Sequence, residues 1–544
     1  AWPWLRRRWW GEWAVIAALV VFKLWLAGDL GLTVYGNAMH DDALFATQGR
    51  AIMDGRWLGA YGEVTLSKGP VYPLFLAMVG KSGLPLQQAQ AWLHAAACLV
   101  FLFAVRPLVP RAGARVLLFA LLALDTQMLS AAAIGRVLRV GIQPALVLLA
   151  LGGAIGLAVR ARRGLATLAA WAAGTGLAWA AFWYSREEGI WLAPSVALVL
   201  GVAGVVLCRE RTTRRWLRLV LLASPVAVVL LADGALRLAN NRFYGAPMAV
   251  EFTSGSFPAA YGALARINPI VIDPLVQIPR EVRLRAYAVS PAFAELQPLI
   301  EGKYGAGWLN YGWEGSDRPE AQRDIRAGWL MWAMRGAAAG VGYYSDPRTA
   351  DAYWRRVADE LNAACDQGRI TAGGARSGFA PRWHSGLGVP VWRSFVRAAD
   401  SVVRTNDARV WMEPSSGTPE QYALIASVTH HEVAGPIQPH SFRGMLREVL
   451  FHCNRSAGWW AAGLAGLSTF VVCGRALRRR EGAMEVAVLF SLVGGTLALL
   501  LVVALIDATS FMAVCAIYLA PASPLLLALW VLAPAWALPG GGER

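Results

Sequence analysis

The sequence predicts an α-helical polytopic membrane protein of about ten transmembrane helices, carrying a mostly helical extracytoplasmic domain. Three observations predict it. Hydrophobic residues make up 56% of the 544 and charged residues 16%, where a soluble chain carries about a quarter charged. Long apolar stretches recur at the roughly 20-residue length that a bilayer-crossing helix needs. The basic residues, 51 against 35 acidic, cluster in alternate gaps between those stretches, as the positive-inside rule expects. The low charge density excludes a disordered chain, and six Cys in so long a chain exclude a disulfide scaffold. The net charge of +16 is then an orientation signal rather than the footprint of a nucleic-acid binder.

In chain order, the spans are expected near residues 13–30, 86–106, 116–135, 140–159, 165–184, 190–208, 217–238, 457–474, 484–506 and 510–534. Arg6–Arg8 precede the first, which reads as a retained helix because no small-residue cleavage site comes before the polar turn at Asn37. Arg106, Arg111 and Arg115 follow the second, and Arg160, Arg162 and Arg163 the fourth. Arg209, Arg211, Arg214, Arg215 and Arg218 follow the sixth, and Arg475 and Arg478–Arg480 the eighth. Both termini in the cytoplasm place every cluster inside. Ionisable residues within the spans are Lys23, expected to snorkel, His94, Asp125, expected mid-helix, and Asp233, near Arg237.

This topology divides the chain into an N-terminal transmembrane module (1–239), an extracytoplasmic domain (240–456) and C-terminal transmembrane helices (457–544). The first outside loop covers 29–84. In the soluble domain, Tyr353, Trp354, Val357, Ala358, Leu361, Ala364 and Cys365 form an apolar stripe at helical spacing, started by Ser345-Asp346-Pro347 and stopped by Gly368. A second helix is expected over 320–339, and a loop over 372–389. Cys365 and Cys453 both lie outside, where pairing and two free thiols are equally open. His430-His431 has no third ligand at a recognisable spacing and reads as a helix face.

The first outside loop carries the chemistry. His40-Asp41-Asp42 opens it, and Leu44, Phe45, Gln48, Ala51 and Ile52 then share one helical face, predicting a helix along the membrane surface. Gly55-Arg56-Trp57-Leu58 follows, and Lys68-Gly69-Pro70-Val71-Tyr72 leads into an apolar segment. An acidic pair after the first span, then Gly-x-Trp-Leu, then Lys-x-Pro-x-Tyr resembles the GT-C superfamily of integral-membrane glycosyltransferases. The nearest branch holds the lipid A aminoarabinose transferases and protein O-mannosyltransferases. Here Asp42 stands for that branch's Glu, and Gly69 for its first Pro.

The resemblance implies a membrane enzyme of the bacterial cytoplasmic (inner) membrane, with its site on the extracytoplasmic face. Its donor would be a polyprenyl-phosphate-linked sugar and its acceptor a glycan, lipid or protein, with no nucleic-acid partner. Such a transfer develops positive charge at the anomeric carbon and negative charge on the departing phosphate. It needs a carboxylate as general base and fixed cations at the phosphate. By family position Asp41 is the base, Asp42 a second base or an orienting partner, and Lys68 the phosphate ligand. Two adjacent carboxylates are expected to raise one another's pKa. Arg136, Arg139 and Arg186 face outward against the charge trend and are further phosphate ligands. His40, Tyr72, Glu187 and Glu188 are assigned to substrate or a possible metal. Asp41, Asp42 and Glu187 are also of the type that holds Mn or Mg. No nucleotide-binding motif is present in the sequence, so no nucleotide cofactor is expected. The competing readings are an O-antigen-type ligase or polymerase, whose key Arg and His sit in the large loop, and a flippase or transporter for lipid-linked sugars, with polar residues at mid-depth.

Overall fold

The computed structural model describes residues 3–209, 214–431 and 441–538. Among them every regular element is helical, and β-pairing is limited to isolated bridges. Among the described residues eight helices are long and apolar enough to cross a membrane: Trp10–Ala27, Leu86–Leu108, Leu165–Trp183, Gly189–Arg209, Arg215–Tyr244, Phe442–Arg479, Ala483–Thr509 and Ala516–Ala537. By helix length and composition this is a multi-pass membrane protein. Val71–Ser82, Ala112–Ala123 and Gln143–Val159 are shorter apolar helices.

The span expected over 116–135 is corrected. Its helix stops at Ala123 and the chain continues as two short turns, Thr126–Leu129 and Ala131–Ile134. Asp125 is therefore not mid-helix. It caps the first turn, accepting the Gln127 N–H at 3.0 Å and the Ser523 hydroxyl at 2.7 Å; an aspartate that bonds the backbone locally ends a helix. Lys23 does not snorkel: it is buried and donates at 2.9 Å to the carbonyl of Ala123, one of those that a helix end leaves unpaired. His94 is buried, with Nε2 3.8 Å from Cys98 Sγ. Asp233 holds Arg237 at 2.5 Å, as expected, and also accepts from the Tyr184 hydroxyl at 2.8 Å.

One end of the bundle collects the basic clusters. Arg115 meets Glu12 at 2.7 Å, Arg111 donates to the Ala535 carbonyl at 3.3 Å, and Arg160 to that of Phe103 at 2.6 Å. Arg218 donates at 2.7 Å to the carbonyls of Ala161 and Arg163. Cations here satisfy the carbonyls at helix C-termini. Arg211 and the side chains of Arg6–Arg8 lie outside the described residues. The opposite end carries the first loop, the 184–189 turn and the 240–456 block.

That block has its own core, centred on Phe257, Tyr261, Phe293 and Trp354. The Pro347–Asp366 helix is as expected: Asp346 accepts the N–H groups of Arg348 and Thr349, the stripe from Tyr353 to Cys365 is buried, and Gly368 turns away at φ +66. The helix expected from 320 starts only at Ala327, because Asp324 is tied elsewhere. Its carboxylate takes Arg283 at 3.0 Å and the Arg280 N–H at 2.6 Å, holding the segment out of helical register. His430 and His431 follow a helix rather than lying on one: Pro419–Thr429 ends before them, and His430 sits at φ 50. Cys365 is buried and Cys453 exposed, and both are free. The last long helix of the block, Phe442–Arg479, runs unbroken for 38 residues, about 57 Å. It climbs from the bilayer into the block, starting well before the expected 457.

Candidate functional site

The Asp42–Met53 helix sets the site. Its apolar face does not lie on lipid as the amphipathic pattern predicted. Leu44, Phe45, Gln48 and Ala51 are buried, and the helix packs between Val71–Ser82 and Pro419–Thr429. An apolar stripe reads the same whether lipid or protein covers it. The N-terminus of this helix presents Asp41 and Asp42 beside the 136–139 segment and the 184–189 turn.

The eight charged residues singled out in these three loops meet as four ion pairs. Lys68 Nζ lies 2.7 Å from Asp41 Oδ1 and also donates to the His40 carbonyl. Arg136 pairs with Asp42, Arg139 with both oxygens of Glu187 at 2.7 and 2.8 Å, and Arg186 with Glu188 at 3.2 Å. The loops are held together by further hydrogen bonds. Arg139 donates to the Ser185 carbonyl at 3.2 Å, and Gln143 to the Ser185 hydroxyl. Gly69 lies so close to the turn that a Cβ there would overlap the carbonyl group of Tyr184. Only glycine allows that approach beside Lys68.

The four carboxylates are not equivalent. The Asp41 side chain is 43% exposed, against 0% for Asp42, 19% for Glu187 and 29% for Glu188. Burial would raise the Asp41 carboxyl, but the Lys68 charge and hydrogen bond, with Arg136 and Arg139 behind them, bring it down to about 2. Asp42 goes the other way: burial outweighs Arg136 and holds its carboxyl above the ordinary range. The adjacent acids therefore do not lift the base toward neutrality, as expected from proximity alone. The exposed one is the firmer anion. Glu188 is half-buried, which would raise its carboxyl, yet it is held down to about 2 by Arg186 and Arg139. His40 is driven down to about 4 by burial and by the Lys68 charge, so its ring is neutral at pH 7.

Asp41, Asp42 and Glu187 do not form a common donor set for a divalent cation. Each is turned to a different cationic side chain, and among the described residues no group of three His, Cys, Asp or Glu converges on one point. Tyr72 is fully buried, edge-on to Phe45 at 5.1 Å, beneath the site rather than at its opening.

Several residues at the site carried no recognisable signal in the sequence. The 240–456 block roofs the site with Trp332 and Trp308, whose rings lie 4.3 and 5.3 Å from that of His40. Lys68 Nζ is 5.1 Å from the Phe45 ring centre and 5.8 Å from that of Trp332, a cation–π setting on two sides. Tyr518 underlies Arg186 at 4.7 Å, and Tyr35 underlies Arg136 at 4.5 Å while bonding Glu413. Trp329 and Trp332 lie three residues apart on the Ala327–Gly340 helix, but nothing local ties Trp332 to a loop some 290 residues earlier.

No protein-family model matches the chain, and no curated protein matches it. Among solved structures, it is similar over 97% of its length to ArnT from Cupriavidus metallidurans in the apo state, covering 77% of that chain at 14% identity and a TM-score of 0.32. The same protein bound to undecaprenyl phosphate matches at 15% identity and a TM-score of 0.31, with 77% of it covered. The archaeal oligosaccharyltransferase AglB from Archaeoglobus fulgidus, in complex with an inhibitory peptide and a dolichol-phosphate, matches at 14% identity and 0.38; this chain spans 50% of its length.

Proposed function

We propose that this protein transfers a sugar from a polyprenyl-phosphate carrier to an acceptor at the outer face of the bacterial cytoplasmic membrane. One observation carries the reading. Asp41, the most exposed of four clustered carboxylates, stays ionised beside Lys68, Arg136 and Arg139. A base and fixed cations side by side are what a glycosyl transfer from a phosphate requires. The ordered loop elements, Asp41-Asp42, Gly55-Arg56-Trp57-Leu58 and Lys68-Gly69-Pro70-Val71-Tyr72, support the same class.

In this scheme an acceptor hydroxyl attacks the anomeric carbon and gives its proton to Asp41. The bond from that carbon to the phosphate oxygen breaks, and the polyprenyl phosphate leaves with the electron pair. Lys68 and Arg139 stabilise the charge gathering on that oxygen. Asp42, fully buried, acts through Arg136, holding the start of the Asp42–Met53 helix against the 136–139 segment. The extracytoplasmic domain, through Trp308 and Trp332, walls the acceptor side.

The test is release of polyprenyl phosphate by protein in lipid nanodiscs, offered synthetic polyprenyl-phosphate sugars and candidate acceptors. Asp41→Asn is expected to lower the rate by about 10²–10⁴ while the protein melts as wild type does. Full activity in that variant would remove Asp41 from the chemistry.

A further inference from the structure

Next to the candidate site lies an open cavity of about 600 Å³ that the transfer chemistry does not use. The two share a wall. Residues 515–517 line the cavity, while the Ile517 carbonyl accepts from Arg186 at 3.0 Å on the other side. The loop after the Gly388–Arg404 helix contributes Asn406, Asp407, Arg409 and Trp411. Glu448 and Arg455, two turns apart on one face of the Phe442–Arg479 helix, complete the lining.

Three features of this lining point to a ligand. The Trp411 indole is 48% exposed, and the Arg409 guanidinium stacks on it at 3.9 Å, which holds the ring in place. Asp407 Oδ2 and Arg409 Nε are buried with no hydrogen-bond partner among the described residues. Such an acceptor and donor are costly unless something meets them. The charges balance, with Asp407 and Glu448 against Arg409 and Arg455, and Arg409 is further committed to Glu413 at 2.9 Å. Arg455 donates to the Asn406 carbonyl at 3.4 Å and is in no ion pair among the described residues, so an anion entering here would meet two carboxylates against that one uncommitted guanidinium.

An aromatic face flanked by planar donors and acceptors, with no net charge, fits a pyranose ring. Its C–H face stacks on the indole, and its hydroxyls reach the carboxylates, the amide and the guanidinium groups. From this lining we infer that the cavity is a binding site for a neutral sugar unit. The inference does not depend on the transfer reading, since no residue of the proposed base or phosphate set lines the cavity.

The experiment is saturation-transfer NMR on the full chain in lipid nanodiscs, with the methyl glycosides of glucose, galactose and mannose as probes. At least one is expected to bind the wild-type protein. Trp411→Ala is expected to weaken it about tenfold, the loss of one central aromatic contact. Trp411→Phe, which keeps the stacking face, retains most of the signal. It carries the test if the alanine variant does not fold: loss of binding in folded Trp411→Phe overturns the inference. Asp41→Asn binds as wild type does, so failure of the transfer reading and failure of this one are distinguishable. No binding of any glycoside to the wild type, undiminished binding in Trp411→Ala, or displacement of the glycosides by inorganic phosphate would each overturn it.

Discussion

The Asp42–Arg136 pair makes an asymmetric prediction about stability. Asp42 is 0% exposed and Arg136 25%. Arg136→Met leaves a carboxylate with no solvent and no cation, but a carboxyl has a way out: it takes a proton. At about pH 7 that costs about 4 kcal/mol from an ordinary pKa of 3.8, at 1.36 kcal/mol per pH unit. The charge-related loss in Arg136→Met is therefore capped near that figure. With its partner gone, the folded-state pKa of Asp42 rises further above the unfolded one. The folded state then holds the proton that the unfolded state has lost, so stability relative to wild type is recovered as pH falls. Between about pH 7 and about pH 5.5 the recovery is at most about 2 kcal/mol, half of the cap. Asp42→Asn has no such escape, because an arginine cannot shed its proton in this range. Arg136 keeps some solvent and the Tyr35 ring, so the cost is near the lower end for a broken buried pair, about 3 kcal/mol, and it does not shrink on acidification, because the wild-type carboxyl, held above its ordinary range, can only gain stability as pH falls. Thermal unfolding in nanodiscs at the two pH values, followed by tryptophan emission, measures both gaps. A gap for Arg136→Met that stays constant or widens on acidification refutes the reasoning. So does a gap for Asp42→Asn that narrows as much.

Other consequences can be tested on the same preparation. Gly69→Ala forces a methyl group into the Tyr184 backbone, costing about 1–3 kcal/mol. Because Lys68 must move with it, polyprenyl-phosphate release should fall even in protein that still folds. Arg335, fully buried, pairs with Glu251 at 2.7 Å and donates to the Glu63 carbonyl of the first loop. Arg335→Met strands Glu251 and should lower stability by about 3–5 kcal/mol, read as a lower melting temperature. Because Asp41, Asp42 and Glu187 face three different cations, EDTA should leave the transfer rate unchanged and added Mn or Mg should not raise it; a chelator-sensitive rate that Mn restores would contradict this.

Much of the fold is readable from the chain because the signals are local. A run of apolar residues is long enough to span or it is not. An N-cap such as Asp346 needs only its next three residues. Where the reading failed, a distant group had intervened. Asp125 breaks the third span because Ser523 and the Gln127 N–H reward its bent conformation. Lys23 stays inside because a broken helix 100 residues away offers it a carbonyl. The 320–326 segment holds only a 3-10 turn, Glu320–Gln322, and does not join the following α-helix because Arg283 takes Asp324.

The candidate site divides in the same way. Residue type, order and loop placement singled out Asp41, Asp42, Lys68, Arg136, Arg139, Arg186, Glu187 and Glu188, since charges stranded among apolar spans stand out without any structure. Which cation meets which carboxylate, and which carboxylate stays open, came only from the packing of the spans. Lys68 and Asp41 are 27 residues apart, Arg139 and Glu187 48, Arg136 and Asp42 94. Composition decides that these charges must be paired, because hydrocarbon and a protein interior solvate them poorly. Only the arrangement of helices decides the partners, because Coulomb energy depends on distance in space and is blind to distance along the chain.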